Sequence, residues 1–213
     1  MRDLYKGLSP GDRFFVWARL AVLPLRDLFA LVPSQGRVLD VGCGRGVTAN
    51  ALALARPRLH ILGVDLDPHL IAVARRSIRG RENVAFALGN ALALPERGDF
   101  DAVICIDLIH HLPGETHRGF LEGVRALLRP GGALVLKEID RRPRWKYLWN
   151  YLHDMVVTRG QPIACRANAD LVRLVKEAGY RDVAYHAMRA AAPYPQYAVT
   201  ARPGDGSRNR GEP

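Results

Sequence analysis

Nine residues limit what this 213-residue chain can fold into more than any others: Val38-Leu39-Asp40-Val41-Gly42-Cys43-Gly44-Arg45-Gly46. A short apolar run rich in β-branched side chains ends in three glycines at alternate positions. The residues after them, 47–55, read as a helix. Strand, glycine turn and helix open a βαβ unit, and open α/β sheets bind ligands in the crevice beyond the carboxyl end of such a strand. Glycine has no Cβ, so it accepts positive φ and lets a ligand come close to the backbone.

A second apolar run, 59–64, ends in Asp65. That acid stands about 20 residues past the turn, the offset at which a carboxylate on the second strand's tip accepts hydrogen bonds from ribose hydroxyls. Turn and acid together point to an adenosine-bearing cofactor. The spacing discriminates further. Dinucleotide folds use Gly-x-Gly-x-x-Gly with pyrophosphate at the helix N-terminus. Here the third glycine comes one residue early, and Asp40 stands in the approach to the turn. A carboxylate there is a poor neighbour for pyrophosphate and a good one for an ammonium group, which disfavours a nicotinamide enzyme.

At these residues the chain resembles the class I S-adenosylmethionine-dependent methyltransferases. The resemblance continues in the family's order through Gly63-Val64-Asp65-Leu66-Asp67, Gly89-Asn90-Ala91-Leu92-Ala93-Leu94-Pro95, Phe100-Asp101-Ala102-Val103-Ile104-Cys105 and Leu127-Leu128-Arg129-Pro130-Gly131-Gly132. It implies an α/β fold built on a doubly wound, seven-stranded, mostly parallel sheet with an antiparallel last strand. Apolar runs place strands at 37–41, 59–64, 84–88, 102–106, 133–139, 183–188 and 194–201, the last two as a hairpin. Helices are expected over 47–56, from Asp67-Pro68 to near Gly80, over 115–128 and over 169–178. Residues 36–203 then form the methyltransferase domain. Residues 1–35 read as two short amphipathic helices broken at Pro24, an N-terminal cover that packs on the core's edge, lids the cofactor or touches a membrane surface. Residues 204–213 are Gly/Pro/polar and read as a disordered tail.

The resemblance also assigns roles residue by residue, with S-adenosylmethionine as cofactor and no metal. The backbone of Gly42, Cys43, Gly44 and Gly46 approaches its methionine part, and Asp40 anchors the ammonium, directly or through water. Asp65 takes the ribose hydroxyls and Leu66 packs on adenine. Asn90 and Ala91 match the adenine-binding position, where the family often has Asp instead of Asn90. Ile106 and Asp107 lie at the fourth strand's tip beside the sulfonium. Methyl transfer is an in-line displacement that asks mainly for a nucleophile held close and dry. A general base is needed only where the acceptor must first lose a proton. His110 and His111 are the first candidates, Glu138 and Asp140 the second, His153 and Asp154 the third. The basic-aromatic segment 141–167, with Arg141, Arg142, Trp145, Tyr147 and Trp149, follows the fifth strand and so falls on the acceptor side.

Net charge is +10 and the pI is about 10.1. That charge suits a nucleic-acid or anionic-membrane partner, or simply an arginine-rich solvated surface, since no Lys/Arg run exceeds two residues. Against a nucleic-acid methyltransferase, the fourth strand's tip reads Ile106-Asp107-Leu108-Ile109 and lacks the Asn/Asp-Pro-Pro-aromatic loop of many base-amino methylases. The three cysteines, Cys43, Cys105 and Cys165, show neither zinc nor disulfide spacing, as expected of a reducing cytoplasm. The apolar run 14–32 is interrupted by Arg19, Pro24, Arg26 and Asp27, too much charge for a spanning helix, and no signal-peptide pattern is visible. The expected function is methyl transfer to a small hydrophobic or amphiphilic acceptor. A nucleic-acid methyltransferase and a non-catalytic cofactor-binding module remain the alternatives.

Overall fold

Each of the seven apolar runs becomes a strand of one sheet. The computed structural model describes residues 1–139, 168–189 and 196–204. The strands are β1 (Gly36–Val41), β2 (Leu59–Asp65), β3 (Val84–Leu88), β4 (Phe100–Ile106), β5 (Leu128–Ile139), β6 (Tyr180–Met188) and β7 (Gln196–Pro203). Their order is β3-β2-β1-β4-β5-β7-β6. The first five run parallel, and β7 lies antiparallel to both β5 and β6.

Among the described residues six α-helices cover the sheet: α1 (Pro10–Val22), α2 (Leu25–Leu31), α3 (Val47–Ala55), α4 (Pro68–Arg76), α5 (His117–Leu127) and α6 (Asn168–Glu177). Strand side chains alternate between two apolar layers. Val38, Ile104 and Val135 pack with Leu28, Leu52 and Ile71, whereas Leu39, Val103 and Leu134 pack with Leu121, Val124 and Val175. The first layer lies under α1 to α4 and the second under α5 and α6.

Two boundaries differ from the sequence reading by more than three residues. The helix begun at Asp67-Pro68, whose Asp67 carboxylate accepts from the N–H groups of His69 and Leu70, stops at Arg76 and not near Gly80. Buried Ser77 donates to the Ala74 carbonyl and accepts from Asn50 Nδ2 at 2.7 Å, so its hydroxyl competes with helix continuation. β5 begins at Leu128 and not at Ala133. Leu128 already pairs with Phe100, and the Pro130-Gly131-Gly132 turn is absorbed as an irregularity in the β4–β5 register.

Candidate active site

The sheet order reverses between β1 and β4, because the chain winds outward through β2 and β3 before returning to β4. That reversal opens a crevice at the carboxyl ends of the strands. It brings together the glycine turn after β1, Asp65 ending β2, Ile106 and Asp107 at the tip of β4, and Glu138 near the end of β5.

Gly42, Gly44 and Gly46 have φ of 70°, 52° and 73°. The last two are glycine for different reasons. A Cβ on Gly46 would lie 2.5 Å from Phe86 Cζ, so the turn packs too tightly on the core for a side chain. A Cβ on Gly44 would meet nothing within 4 Å, so this residue faces the crevice. The Gly44 N–H donates to Asp65 Oδ2 at 2.8 Å, and the Asp67 N–H donates to Oδ1 at 2.9 Å. Asp65 is thereby aimed at the turn, and each oxygen still has acceptor capacity for a hydroxyl. Leu66 beside it is 73% exposed. The Asn90 oxygen accepts from the Leu92 N–H at 3.0 Å and caps the short turn Ala91–Ala93, with Ala91 buried beneath. Cys43 is buried, and burial, with the Asp40 and Asp65 charges, pushes its thiol far up, so its part in the turn is its backbone.

Asp40 is 2% exposed, and its Oδ2 is a buried oxygen with no hydrogen-bond partner. Burial pushes its carboxyl up to about 7, with Arg19 and the Ala49 N–H pulling down and Asp65 pushing up. An orphaned buried carboxylate oxygen is costly unless a donor reaches it. The glycine turn therefore has behind it a group that a cation satisfies.

The tip of β4 carries a second cluster. His110 Nδ1 and Glu138 Oε2 lie 2.5 Å apart, both buried. Glu138 Oε1 accepts from the N–H groups of Leu108 and Ile109 at 3.2 and 2.9 Å. Glu138 is thus bound up in holding the loop and the imidazole. His111 is exposed, its ring centroid 4.1 Å from that of His110. On the other face of β5, Lys137 Nζ lies 2.7 and 2.9 Å from the two oxygens of Asp107. Arg19 Nη1 lies 2.7 Å from Asp107 Oδ2. Burial alone would raise the Asp107 carboxyl, but the Lys137 and Arg19 charges outweigh it and hold the group well below the usual range. Burial pulls the Lys137 ammonium down against the attraction of Asp107.

The N-terminal cover sits on the glycine turn itself. Tyr5 donates to the Arg45 carbonyl at 3.0 Å, Arg45 Nε lies 2.8 Å from Asp12 Oδ1, and the Arg45 guanidinium stacks over Phe15 at 4.2 Å. Arg19, Lys137, Asp12 and Arg45 were not singled out for the site from sequence. Arg19 and Lys137 left a signal, a lone cation inside an apolar run. Asp140 to Asp154, including Arg141, Arg142, Trp145, Tyr147, Trp149 and His153, lie outside the described residues, as do Cys165 and residues 205–213 of the tail.

A family model described as a methyltransferase domain matches residues 38–132. The fold is shared with solved S-adenosylmethionine-dependent methyltransferases. Over 96% of this chain and 65% of the other, the fold matches the apo S-adenosylmethionine-dependent methyltransferase SibL with a TM-score of 0.71 at 24% identity. Human N-acetylserotonin methyltransferase in complex with SAM matches over 91% and 55% with a TM-score of 0.71 at 22% identity. Over 116 residues the chain is 36% identical to the ubiquinone biosynthesis O-methyltransferase of Xanthomonas axonopodis pv. citri (strain 306), covering 53% of this chain and 47% of that protein. The chain thus spans about half the length of the curated relatives it matches.

Proposed function

We propose that the protein is an S-adenosylmethionine-dependent methyltransferase acting on a small apolar or amphiphilic acceptor. The tie between Gly44 and Asp65 beside the switch point, inside a chain whose residues 38–132 match a methyltransferase domain, carries this reading. The residues fit the cofactor. Gly44 faces open space for a ligand against the backbone, Asp65 is pre-aimed for ribose hydroxyls, and the orphaned Asp40 oxygen suits an ammonium. Leu66, Asn90, Ala91 and Ile106 flank that path as adenine and sulfonium neighbours. When bound, S-adenosylmethionine supplies an electrophilic methyl group on a sulfonium. The chain's own task is to hold the acceptor in line, which can contribute about 7–11 kcal/mol toward the barrier.

The relatives named for O-methylation support an oxygen acceptor, which must lose a proton. His110 takes it in this reading. A carboxylate only accepts, so Nδ1 carries the hydrogen in the bond to Glu138 and Nε2 carries the lone pair. Glu138 orients this tautomer and stabilises the imidazolium that forms, as in other carboxylate–histidine pairs. His111 lies outside this pair and serves the acceptor's entrance.

An apolar acceptor is supported by α1, where Phe14 and Trp17 are 70% and 54% exposed beside a groove of about 420 Å³ lined also by Pro10 and Leu20. The same residues suit peripheral contact with a membrane surface. Among the described residues no helix is long and apolar enough to cross a membrane. Residues 1–35 act in this reading as a lid and 36–203 as the catalytic domain, in a cytoplasmic setting. The test is calorimetry with S-adenosylhomocysteine, followed by product release across lipid, quinone, phenol and nucleic-acid acceptors. Tight binding lost in Asp65→Ala supports the reading; no binding by the unaltered chain refutes it.

A further inference from the structure

We infer that Asp107 is a positioning residue through which helix α1 sets the orientation of His110. The inference rests on the reading of His110 as the base. Asp107 is the hinge at which β4 leaves the sheet, and its φ is 54°. A non-glycine residue holds that left-handed conformation only where its surroundings over-determine it. Here they do. Its N–H donates to the Lys137 carbonyl at 2.8 Å, and its carboxylate is gripped by Lys137 Nζ from one side and by Arg19 from the other. Arg19 also donates to the Ile106 carbonyl at 3.4 Å, so α1 touches both residues of the hinge.

The next three residues have no independent freedom. The Leu108 and Ile109 N–H groups and the His110 ring all bond to Glu138. Neighbouring residues of a strand point to opposite faces. Lys137 therefore holds the loop from the α1 side, in line with Val135 of the first apolar layer, and Glu138 holds it from the α5 side. With only Leu108 and Ile109 between hinge and imidazole, the turn at Asp107 decides where His110 points. Both carboxylates and Lys137 are 7% exposed or less, so the grip is dry and each lost partner leaves an uncompensated buried charge.

Of the three groups on Asp107, only Arg19 belongs to an element outside the sheet. Its helix is also the one fixed to the glycine turn through Asp12 and Arg45. Docking of α1 on the cofactor turn and aiming of the base are therefore one event. The arrangement links closure over the cofactor to readiness for proton removal.

The test is nitrogen-15 NMR of the histidine-labelled full chain without cofactor, with His110 assigned by its absence in His110→Gln. The unaltered chain should show a fixed Nδ1–H tautomer. Arg19→Gln and Asp107→Asn, the latter tolerating the left-handed turn, should both lose that signature and show averaged ring nitrogens. Arg19→Lys, which restores the cation, should recover it. Arg19→Met, which keeps the packing of the stem, substitutes if Arg19→Gln does not fold. A fixed tautomer retained in the folded Arg19 and Asp107 variants overturns the coupling. Failure of the unaltered chain to bind S-adenosylhomocysteine instead overturns the functional reading, and calorimetry reports it separately.

Discussion

Asp40→Asn is the most direct probe of the cofactor end of the site. The Asp40 carboxyl is pushed from 3.8 up to about 7 by burial, with one oxygen unpartnered. Between those values the folded chain holds a proton that the unfolded chain has released. Stability contributed by this group is therefore present below pH 4, falls as pH rises through the window, and is level above 7. Three pH units at about 1.4 kcal/mol each set an upper limit of about 4 kcal/mol on that loss. Asparagine does not titrate. Its Oδ1 can accept from the Ala49 N–H, but its amide hydrogens replace an orphaned acceptor with orphaned donors, costing about 1–3 kcal/mol at every pH. At pH 8 the variant should thus range from about equal in stability to about 3 kcal/mol more stable than the unaltered chain. The sharper measurement is the pH slope. Urea unfolding of both chains from pH 4 to 8 should give a difference that shifts toward the variant up to pH 7 and then flattens. The cost of the buried carboxylate should be recovered in ligand binding. S-adenosylhomocysteine affinity should rise from pH 6 to 8 in the unaltered chain and be weak and flat in Asp40→Asn. A stability difference independent of pH would refute the reasoning.

Further perturbations separate the remaining roles. Gly46→Ala places a methyl group 2.5 Å from Phe86 at a φ of 73° and should cost about 1–3 kcal/mol, partly restored by Phe86→Leu. Gly44→Ala, with no neighbour within 4 Å, should cost about 1 kcal/mol in denaturant titration, yet abolish S-adenosylhomocysteine binding by filling the crevice. His110→Gln should lower turnover by about 10²–10⁴-fold without changing cofactor affinity, and Glu138→Gln by less, since it keeps an acceptor for the loop N–H groups. RNA and DNA binding measured against salt concentration should be weak with a shallow slope; a steep slope would favour the nucleic-acid alternative.

The charge of the chain deserves a physical reading beside these tests. Much of its arginine is structural. Arg56 donates to the carbonyls of Phe29 and Pro33, Arg75 to that of Phe86, and Arg125 to that of Gly179. Each carries a guanidinium into a gap between elements, where its planar donors bond to backbone carbonyls of the neighbouring segment. A net charge of +10 therefore overstates the free positive surface offered to a polyanion.

What the sequence determined by itself was local. The glycines of 42–46, the acid at 65 and the strand-by-strand apolar runs specify their own backbone conformations within a few residues, because turn chemistry and side-chain alternation need no distant partner. Those signals were enough for the parallel sheet and its reversed last strand. Tertiary structure decided the rest. Glu138 reads as a second base in the sequence, and only the β4–β5 pairing, which brings it to His110 across 28 positions, turns it into the group that orients that histidine. Arg19 reads as an interruption in an apolar run until α1 docks and carries it to Ile106, 87 positions away. Lys137 reads as a stray charge until Asp107 closes on it. Buried ions need partners, and partners at such separations are chosen by sheet order and helix docking, which no local pattern records.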